Sequence, residues 1–256
     1  MARQRASCSS VTMQRGYERV DIQAEYALLL NRLIAGVGPG HRVAPPTPDL
    51  PLKSYGLPTA ESRGLAKAWR DAHKDAPDAD WLGLVDALWA GDSMDERHLA
   101  LELLNAYPRR LPTLPWEHFD RWRPGLVDWS TTDHLGYLLG PWLLADLPGR
   151  TPYLQTLIAD PDLWSRRLAL VGALIASRDE RAVVPDLLFS LIDRVQAERE
   201  PLMVKAVSWA LRELSKHHPD RVAAYVDQRR STLPALVIRE VNHKLRTGLK
   251  SGRPKR

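Results

Sequence analysis

The chain has 256 residues, of which 44% are hydrophobic and 26% are charged, and these proportions are ordinary for a globular protein with one large domain or two small ones. No apolar run approaches the ~18 residues that a membrane-spanning helix needs, so the composition excludes an integral membrane protein and predicts a soluble one. The formal net charge of +5 comes from the C-terminal end, because residues 244–256 carry six basic side chains and no acid.

Both ends of the chain differ from its middle. The first 16 residues contain arginines and serines but no acid, and we expect residues 1–19 to be a disordered basic lead. The only cysteine, Cys8, lies there, so the sequence predicts no disulfide and no thiolate metal site, and it suits a reducing cytosol. We expect residues 20–248 to form a single domain and residues 249–256 a disordered basic tail.

Helical periodicity recurs in the first half of the chain, and the period-two alternation of strands is absent. Ser93 and Glu96 have the spacing of a capping box, which predicts a helix start at that point. The glycines and prolines after residue 36 predict a long loop before the second helix. The expected helices span about 21–36, 59–75, 79–90, the segment after Ser93, and 115–122.

The second half continues the helical pattern, with helices expected at about 129–145, 151–158, 161–177, 181–197, 201–217, 219–228 and 233–246. Pro161 and Pro201 fit first-turn positions, where a missing N–H costs nothing. Gly136, Gly140 and Pro141 fall inside one of these segments, and we expect a kink or break there.

About a dozen helices joined by short polar turns predict an all-α fold of antiparallel helical hairpins. The hairpins recur at intervals of roughly 35–45 residues, which is typical of a HEAT-like array. Stacked hairpins form a curved α-solenoid, and its concave face is the natural binding surface.

Charge is distributed unevenly over this array. Residues 71–102 carry nine acids and two basic residues, a pattern that predicts a face for water or for another protein. Residues 129–256 hold 20 basic and 14 acidic residues, so a nucleic-acid surface is expected mainly in this part of the chain.

Trp129 and Asp133 are one helical turn apart, which places an indole face beside a carboxylate. Such a pair can stabilise a developing positive charge, because the ring has a negative π-face and the carboxylate a full charge. The same segment also fits a capping box, with Ser130 as the N-cap and Asp133 bonding back to it. In that alternative Trp129 is an ordinary core residue.

Two further stretches place cations on helices. Arg166 and Arg167 open an apolar helix, and as neighbours they must point in different directions. Lys205, Trp209 and Arg212 fall on one helical face, and a tryptophan between two cations is more typical of a phosphate-binding surface than of a core.

These stretches resemble the DNA alkylation repair enzyme family, the HEAT-like alkylpurine DNA glycosylases, over roughly residues 55–248. The resemblance is carried by five blocks in the same order: Tyr55-Gly56-Leu57-Pro58-Thr59 with Arg63; Leu88-Trp89 through Glu96 to Ala100-Leu101 and Leu103-Leu104; Trp129 with Asp133; Leu163-Trp164, Arg166-Arg167 and Ala169; and Val204-Lys205-Ala206-Val207 with Trp209 and Leu211-Arg212-Glu213.

The resemblance implies a glycosylase that releases cationic N3- or N7-alkylated purines from double-stranded DNA, without a metal or cofactor. It implies that Asp133, Trp129 and Trp209 line the deoxyribose of the lesion and are catalytic. Arg167 is implied to lie near that pocket and the DNA backbone, and Arg166, Lys205 and Arg212 complete the expected DNA-binding set. A cytoplasmic, nucleoid-associated monomer is expected.

The sequence departs from the family pattern at one position, so two other functions stay open. Active members of the family carry a tyrosine just before the block that begins here at Tyr55, whereas this chain has the proline-rich residues 45–53. A non-catalytic binder of branched or damaged DNA on the same scaffold is therefore the main alternative. A solenoid adaptor that binds a protein through the acidic 71–102 face is the other.

Overall fold

The computed structural model of this chain describes residues 19–38, 42–179 and 184–250. The predicted lead and tail fall almost entirely outside the described residues. Within them, none of the helices is both long and apolar enough to cross a membrane.

The described residues form twelve α-helices and no named strand, with only isolated β-bridges near residues 44–54 and 93, so the all-α prediction is confirmed. The helices are Ile22–Gly36 (α1), Thr59–Ala72 (α2), Asp78–Trp89 (α3), Met94–Asn105 (α4), Trp116–Trp122 (α5), Trp129–Ala145 (α6), Leu147–Ile158 (α7), Leu163–Ala176 (α8), Pro185–Val195 (α9), Pro201–Leu214 (α10), Pro219–Gln228 (α11) and Ala235–Thr247 (α12). Short 3-10 turns occupy Leu111–Thr113 and Arg123–Gly125.

The even-numbered helices form one continuous row, in which α2, α4, α6, α8, α10 and α12 each pack against the next. Successive members of this inner row start 34–38 residues apart, at the lower end of the predicted spacing. The odd-numbered helices pack behind them, as in the pairs α3 with α4 and α7 with α8. This arrangement of stacked hairpins is an α-solenoid, as the sequence predicted.

Side-chain caps fix where several helices begin. The hydroxyl of Ser93 accepts a hydrogen bond from the amide of Glu96 (3.1 Å), and the Glu96 carboxylate accepts one from the amide of Ser93 (3.0 Å). The predicted capping box at α4 is therefore confirmed, and it satisfies amide groups that have no partner within the helix.

The contact between α6 and α8 is the most extensive between any two helices, and glycines make it possible. A Cβ atom on Gly136 would lie 2.5 Å from Cγ1 of Val171, and one on Gly140 would lie 2.5 Å from Cγ2 of Ile175. A kink or break was predicted at Gly136, Gly140 and Pro141. The break is absent, because α6 runs through all three residues, and the kink stays a prediction. These glycines allow the two helices to approach closely.

Two other helix starts differ from the sequence prediction. Pro161 precedes the N-cap Asp162 of α8 and is not in its first turn, whereas Pro201 is the first residue of α10 as expected. Helix α7 begins at Leu147, four residues earlier than predicted, with Asp146 as its cap. The expected beginning of α9 at residues 181–183 lies outside the described residues.

The acidic segment 71–102 is solvated only in part, because four of its nine acids are exposed and one is half-buried. Four of its nine acids are buried, because they brace neighbouring hairpins. Asp95 accepts hydrogen bonds from the amides of Tyr55 (2.6 Å) and Leu57 (2.7 Å), and Glu102 pairs with Arg63. The buried acids therefore have a structural role, and a protein-binding role for the exposed ones stays a prediction.

Candidate functional site

The inner row of helices lines two cavities, of about 670 and 580 Å³, that meet at Trp129, Asp133 and Trp209. Together they are called the inner groove. Its cationic half, the larger cavity, adds Arg167, Leu202, Lys205, Arg212, Glu213, Lys216, Glu240, Lys244 and Lys250. Its neutral half adds Thr59, Arg63, Glu102, Asn105, Ser130, His134, Tyr137 and Leu138.

Asp128, not Ser130, caps the start of α6. Its carboxylate accepts hydrogen bonds from the amides of Ser130 (2.9 Å) and Thr131 (3.1 Å). The alternative capping box with Asp133 is therefore wrong, and Asp133 is free to face the groove. Trp129 is 56% exposed, so it is not a core residue either.

Asp133 is held by a two-pronged ion pair. Nε of Arg167 donates to one carboxylate oxygen (2.7 Å) and Nη2 donates to the other (2.8 Å). Arg167 is itself buried, and its Nη1 donates to the carbonyl of Leu202 (2.6 Å), which fixes the guanidinium in place. Such paired bonds orient a carboxylate more firmly than a single bond does.

Burial and charge act in opposite directions on this carboxyl group. Burial raises the pKa of Asp133 above its ordinary value, because removal from water disfavours the charged form. The hydrogen bonds and positive charge of Arg167 oppose that rise. The pair therefore places a guanidinium-stabilised carboxylate at the junction of the two halves.

Lys205, Trp209 and Arg212 face the groove together, as their helical spacing predicted. The Trp209 ring lies 6.2 Å from that of Tyr137. Nε of Arg212 lies 3.6 Å from a carboxylate oxygen of Glu240. Lys205 is exposed and forms no ion pair with the described residues.

Arg166 is not brought to the groove. Its guanidinium donates to both carboxylate oxygens of Glu198 (2.9 and 3.1 Å) and to the carbonyls of Asp160 and Pro161. The two adjacent arginines thus diverge, as expected for neighbours on a helix. The role of Arg166 in binding DNA stays a prediction.

Several groove residues were missed by the sequence analysis, although the helical period could have found two of them. Tyr137 follows Trp129 by eight residues, and Lys216 follows Lys205 by eleven, so both continue faces that had already been recognised. Lys244 lies in α12, within the predicted helix at 233–246, but it was not among the expected DNA-binding residues. Arg63 and Asn105 line the groove because of how their helices pack, and no local sequence pattern indicates that they do so.

Two histidines lie beside the neutral half. Nε2 of His98 is 2.9 Å from the hydroxyl of Ser130, and the His98 and His134 rings are 6.5 Å apart. Burial lowers the pKa of His134 to about 4 and also lowers that of His98. Among the described residues, no group of three or more His, Cys, Asp or Glu side chains could hold a metal ion.

Comparison with known proteins identifies the family. Residues 51–245 match the family model described as DNA alkylation repair enzyme. The chain belongs to this family. The resemblance predicted from the sequence is therefore confirmed, and the matched range includes every residue of the inner groove except Lys250.

The fold of this DNA alkylation repair family member is similar to that of a solved protein described as a predicted DNA alkylation repair enzyme from Enterococcus faecalis. The TM-score is 0.65 at 22% sequence identity, over 75% of this chain and 87% of that chain. At this identity the likeness supports the shared fold. A comparison with curated protein sequences finds no match.

Proposed function

We propose that this family member is a monofunctional DNA glycosylase that hydrolyses the N-glycosidic bond of cationic N3- or N7-alkylated purines in duplex DNA. The observation that carries the proposal is the position of Asp133. Asp133 lines both halves of the groove where they meet, and the only other described residues that line both halves are Trp129 and Trp209. We also propose that the protein acts as a cytoplasmic, nucleoid-associated monomer without a cofactor.

The proposed chemistry needs stabilisation of the sugar more than it needs an acid. An alkylated purine is already cationic, so when its bond to C1′ breaks, the electron pair leaves with the base and neutralises it. The remaining sugar becomes a cationic oxocarbenium, which a carboxylate and two indole π-faces stabilise. Water then adds to C1′, and Asp133 orients it and accepts its proton.

Arg167 acts in this scheme as a positioning residue. It occupies one lone-pair direction on each oxygen of Asp133, and a carboxylate offers about four in all. The remaining directions are available to the sugar and the water. Because the guanidinium favours the charged form, it opposes the rise in the pKa of Asp133 that burial causes.

The cationic half provides for the phosphates of the DNA backbone. Arg212 and Lys216 have acidic neighbours in Glu240 and Glu213, whereas Lys205 forms no ion pair with the described residues. Lys244 and Lys250 extend the same surface along α12 and beyond it. A row of this kind binds DNA by releasing counterions, so its affinity falls as salt rises.

The test is base release from a duplex that contains one 7-methylguanine, measured under single-turnover conditions. We expect Asp133→Asn to lower the rate by roughly 10²- to 10³-fold, the usual cost of removing one group that stabilises a charged transition state. Asp227→Asn is the matched control, because this exposed carboxylate on α11 pairs with no described residue other than Arg230. Equal rates for wild type and Asp133→Asn would refute the catalytic role.

The second proposed function is a non-catalytic binder of branched or damaged DNA. It is favoured by the segment 45–53, which has no tyrosine, and by Tyr55, whose ring lies outside the groove beside Lys53. This function predicts tight, salt-dependent binding without release of any base. It also predicts that branched DNA binds more tightly than plain duplex, and equal affinity for the two would count against it.

A further inference from the structure

Tyr137 is an exposed aromatic residue that neither the sequence analysis nor the proposed reaction uses. Among the described residues, three aromatic side chains are strongly exposed: Trp116, Trp129 and Tyr137. Two of these face the inner groove from the same helix, because Tyr137 lies two turns after Trp129 and one turn after Asp133. Leaving a ring 41% exposed in a cleft is characteristic of a binding residue rather than of the core.

The surroundings of Tyr137 hold its ring in place. Its centroid lies 6.2 Å from that of Trp209, and the guanidinium carbon of Arg178 lies 5.2 Å from it. Arg178 is in turn paired with Glu213. The Tyr137 hydroxyl makes no hydrogen bond with the part of the chain that the structure describes. Trp209 and Arg178 therefore hold the ring of Tyr137 in place, while its hydroxyl has no hydrogen-bond partner among the described residues.

Among the described residues, the neutral half has one cation, Arg63, which is paired with the buried carboxylate of Glu102. Asp133 is paired with Arg167. The remaining polar groups of this half are uncharged at neutral pH, namely Thr59, Asn105, Ser130, His134 and the Tyr137 hydroxyl. A strand that passes from the cationic half into this half therefore exchanges ionic contacts for neutral hydrogen bonds and aromatic packing.

We propose that Tyr137 is a further DNA-binding residue, which packs its ring against the nucleotide next to the lesion on the neutral side and donates its hydroxyl to a phosphate oxygen of that nucleotide. The inference rests on the proposed DNA-binding function and adds to it a specific contact. With this contact, the two halves of the groove bind DNA differently. The cationic half binds phosphates by charge, whereas the neutral half binds a nucleotide by aromatic packing and its phosphate by neutral hydrogen-bond donors.

The experiment measures binding of wild type, Tyr137→Ala and Tyr137→Phe to a fluorescein-labelled duplex with a central tetrahydrofuran abasic site, which cannot be turned over. Anisotropy titrations between 50 and 200 mM salt give both Kd and its salt dependence. We expect Tyr137→Ala to weaken Kd by roughly 5- to 50-fold, as loss of an aromatic stacking contact does. Tyr137→Phe retains the ring and should lose only about three- to tenfold, the value of one hydrogen bond.

The salt dependence separates this contact from an ionic one. A neutral residue releases no counterions, so both Tyr137 variants should keep the wild-type slope of log Kd against log salt. Trp116→Ala is the matched control, because Trp116 is equally exposed but lies on α5, packed beside Tyr153 and away from the groove. It should bind within twofold of wild type.

Two results would overturn the inference separately from the proposed function. If wild type binds the duplex and both Tyr137 variants bind within twofold of it, Tyr137 makes no contact, although the DNA-binding function stands. If wild type itself does not bind, the DNA-binding function fails and the inference falls with it. Thermal melts check that each variant is folded, and Tyr137→Phe, which keeps the packing with Trp209 and Arg178, decides the hydroxyl contact if Tyr137→Ala unfolds.

Discussion

Asp133 and Arg167 illustrate how one pair of side chains can set the chemistry of a site. The carboxylate lies in a partly buried position that by itself raises its pKa, and the guanidinium acts against that rise. Because Arg167 is buried and also bonded to the carbonyl of Leu202, it cannot turn away toward solvent without leaving polar groups unpaired. The geometry of the carboxylate is therefore set by α8 as much as by its own helix α6.

The pair predicts a shift in the pH dependence of base release. In Arg167→Gln the lowering effect of the guanidinium is lost, while burial and the negative charge of Asp128 still raise the pKa of Asp133, so that pKa rises further. Because the reaction needs the ionised carboxylate, activity is lost as pH falls through this pKa, and the acidic limb of the pH–rate profile should move to higher pH. The profile is measured between about pH 4.5 and 8 under single-turnover conditions.

Arg166→Gln is the control for this measurement. Arg166 precedes Arg167 in the same helix, but it is paired with Glu198 and does not touch Asp133. It should leave the acidic limb where wild type has it. An acidic limb that stays unmoved in Arg167→Gln would mean that Arg167 does not tune the carboxylate.

At the scale of helices, the close contact of α6 and α8 is what brings Asp133 and Arg167 together. We expect Gly136→Ala to lower the free energy of unfolding by about 1–3 kcal/mol, because the added methyl group would overlap the β-branched side chain of Val171. Gly64→Ala in α2 is the matched control. Nothing lies within 4 Å of its added Cβ, so it should be neutral or stabilise by about 0.5–1 kcal/mol.

Chemical denaturation of the two glycine variants measures both values. The added methyl group should also push α6 and α8 apart. Because this moves Arg167 away from Asp133, base release by Gly136→Ala should be slower than by wild type. A Gly136→Ala variant as stable and as active as wild type would show that the close approach of these helices is not required.

The histidines between α4 and α6 predict how stability depends on pH. The folded protein holds the pKa of His134 at about 4, whereas an unfolded chain has a value near 6.5. Between these values the unfolded state binds the additional proton, so stability is fully present above about pH 6.5 and is lost as pH falls toward 4. The shift corresponds to a loss on the order of 2–3 kcal/mol over this range.

Urea unfolding at several pH values between 4 and 7.5 tests this prediction, with His134→Gln compared against wild type. The variant should show a flatter dependence, because one of the two buried histidines no longer titrates. The remaining slope includes His98 and His118, because burial lowers the pKa of both. An equally steep dependence in His134→Gln would contradict the assignment.

At the scale of the whole molecule, the groove divides into a charged half and a neutral half. We expect Lys205→Ala to reduce the slope of log Kd against log salt by about 0.9, the value for loss of one phosphate contact on duplex DNA. Lys67→Ala is the control: it removes the same charge from an exposed position on α2 that does not line the groove. Equal slopes for these two variants would mean that only overall charge matters.

The sequence predicted the solenoid well, because helical period and capping are local properties. Three helix starts carry the expected residues: Asp21 and Ser93 are N-caps, and Pro201 is the first residue of its helix. The spacing of the hairpins follows from the lengths of the helices. Local rules failed where tertiary contacts decide. Gly136 was expected to disturb its helix, but it is the residue that lets Val171 of α8 approach. Four acids of residues 71–102 are buried through contacts that are distant in sequence, so the sequence could not tell them from the exposed ones.

The candidate site could be predicted only in part. Helical spacing placed Lys205, Trp209 and Arg212 on one face, and these three do line the groove. It could not show that Arg167 bonds to Asp133 while Arg166 bonds to Glu198, because both partners lie more than thirty residues away along the chain. It also stopped short of Tyr137, which continues the face of Trp129 by two turns.

The proposed function requires that the protein releases from DNA a base that is already cationic. The most direct measurement quantifies free bases by mass spectrometry after incubating wild type with two duplexes, one containing 7-methylguanine and the other the neutral purine hypoxanthine. We expect release of 7-methylguanine well above its spontaneous loss and no release of hypoxanthine, since the groove supplies a carboxylate for the sugar rather than an acid for the base. Loss of 7-methylguanine no faster than in the absence of protein would contradict it.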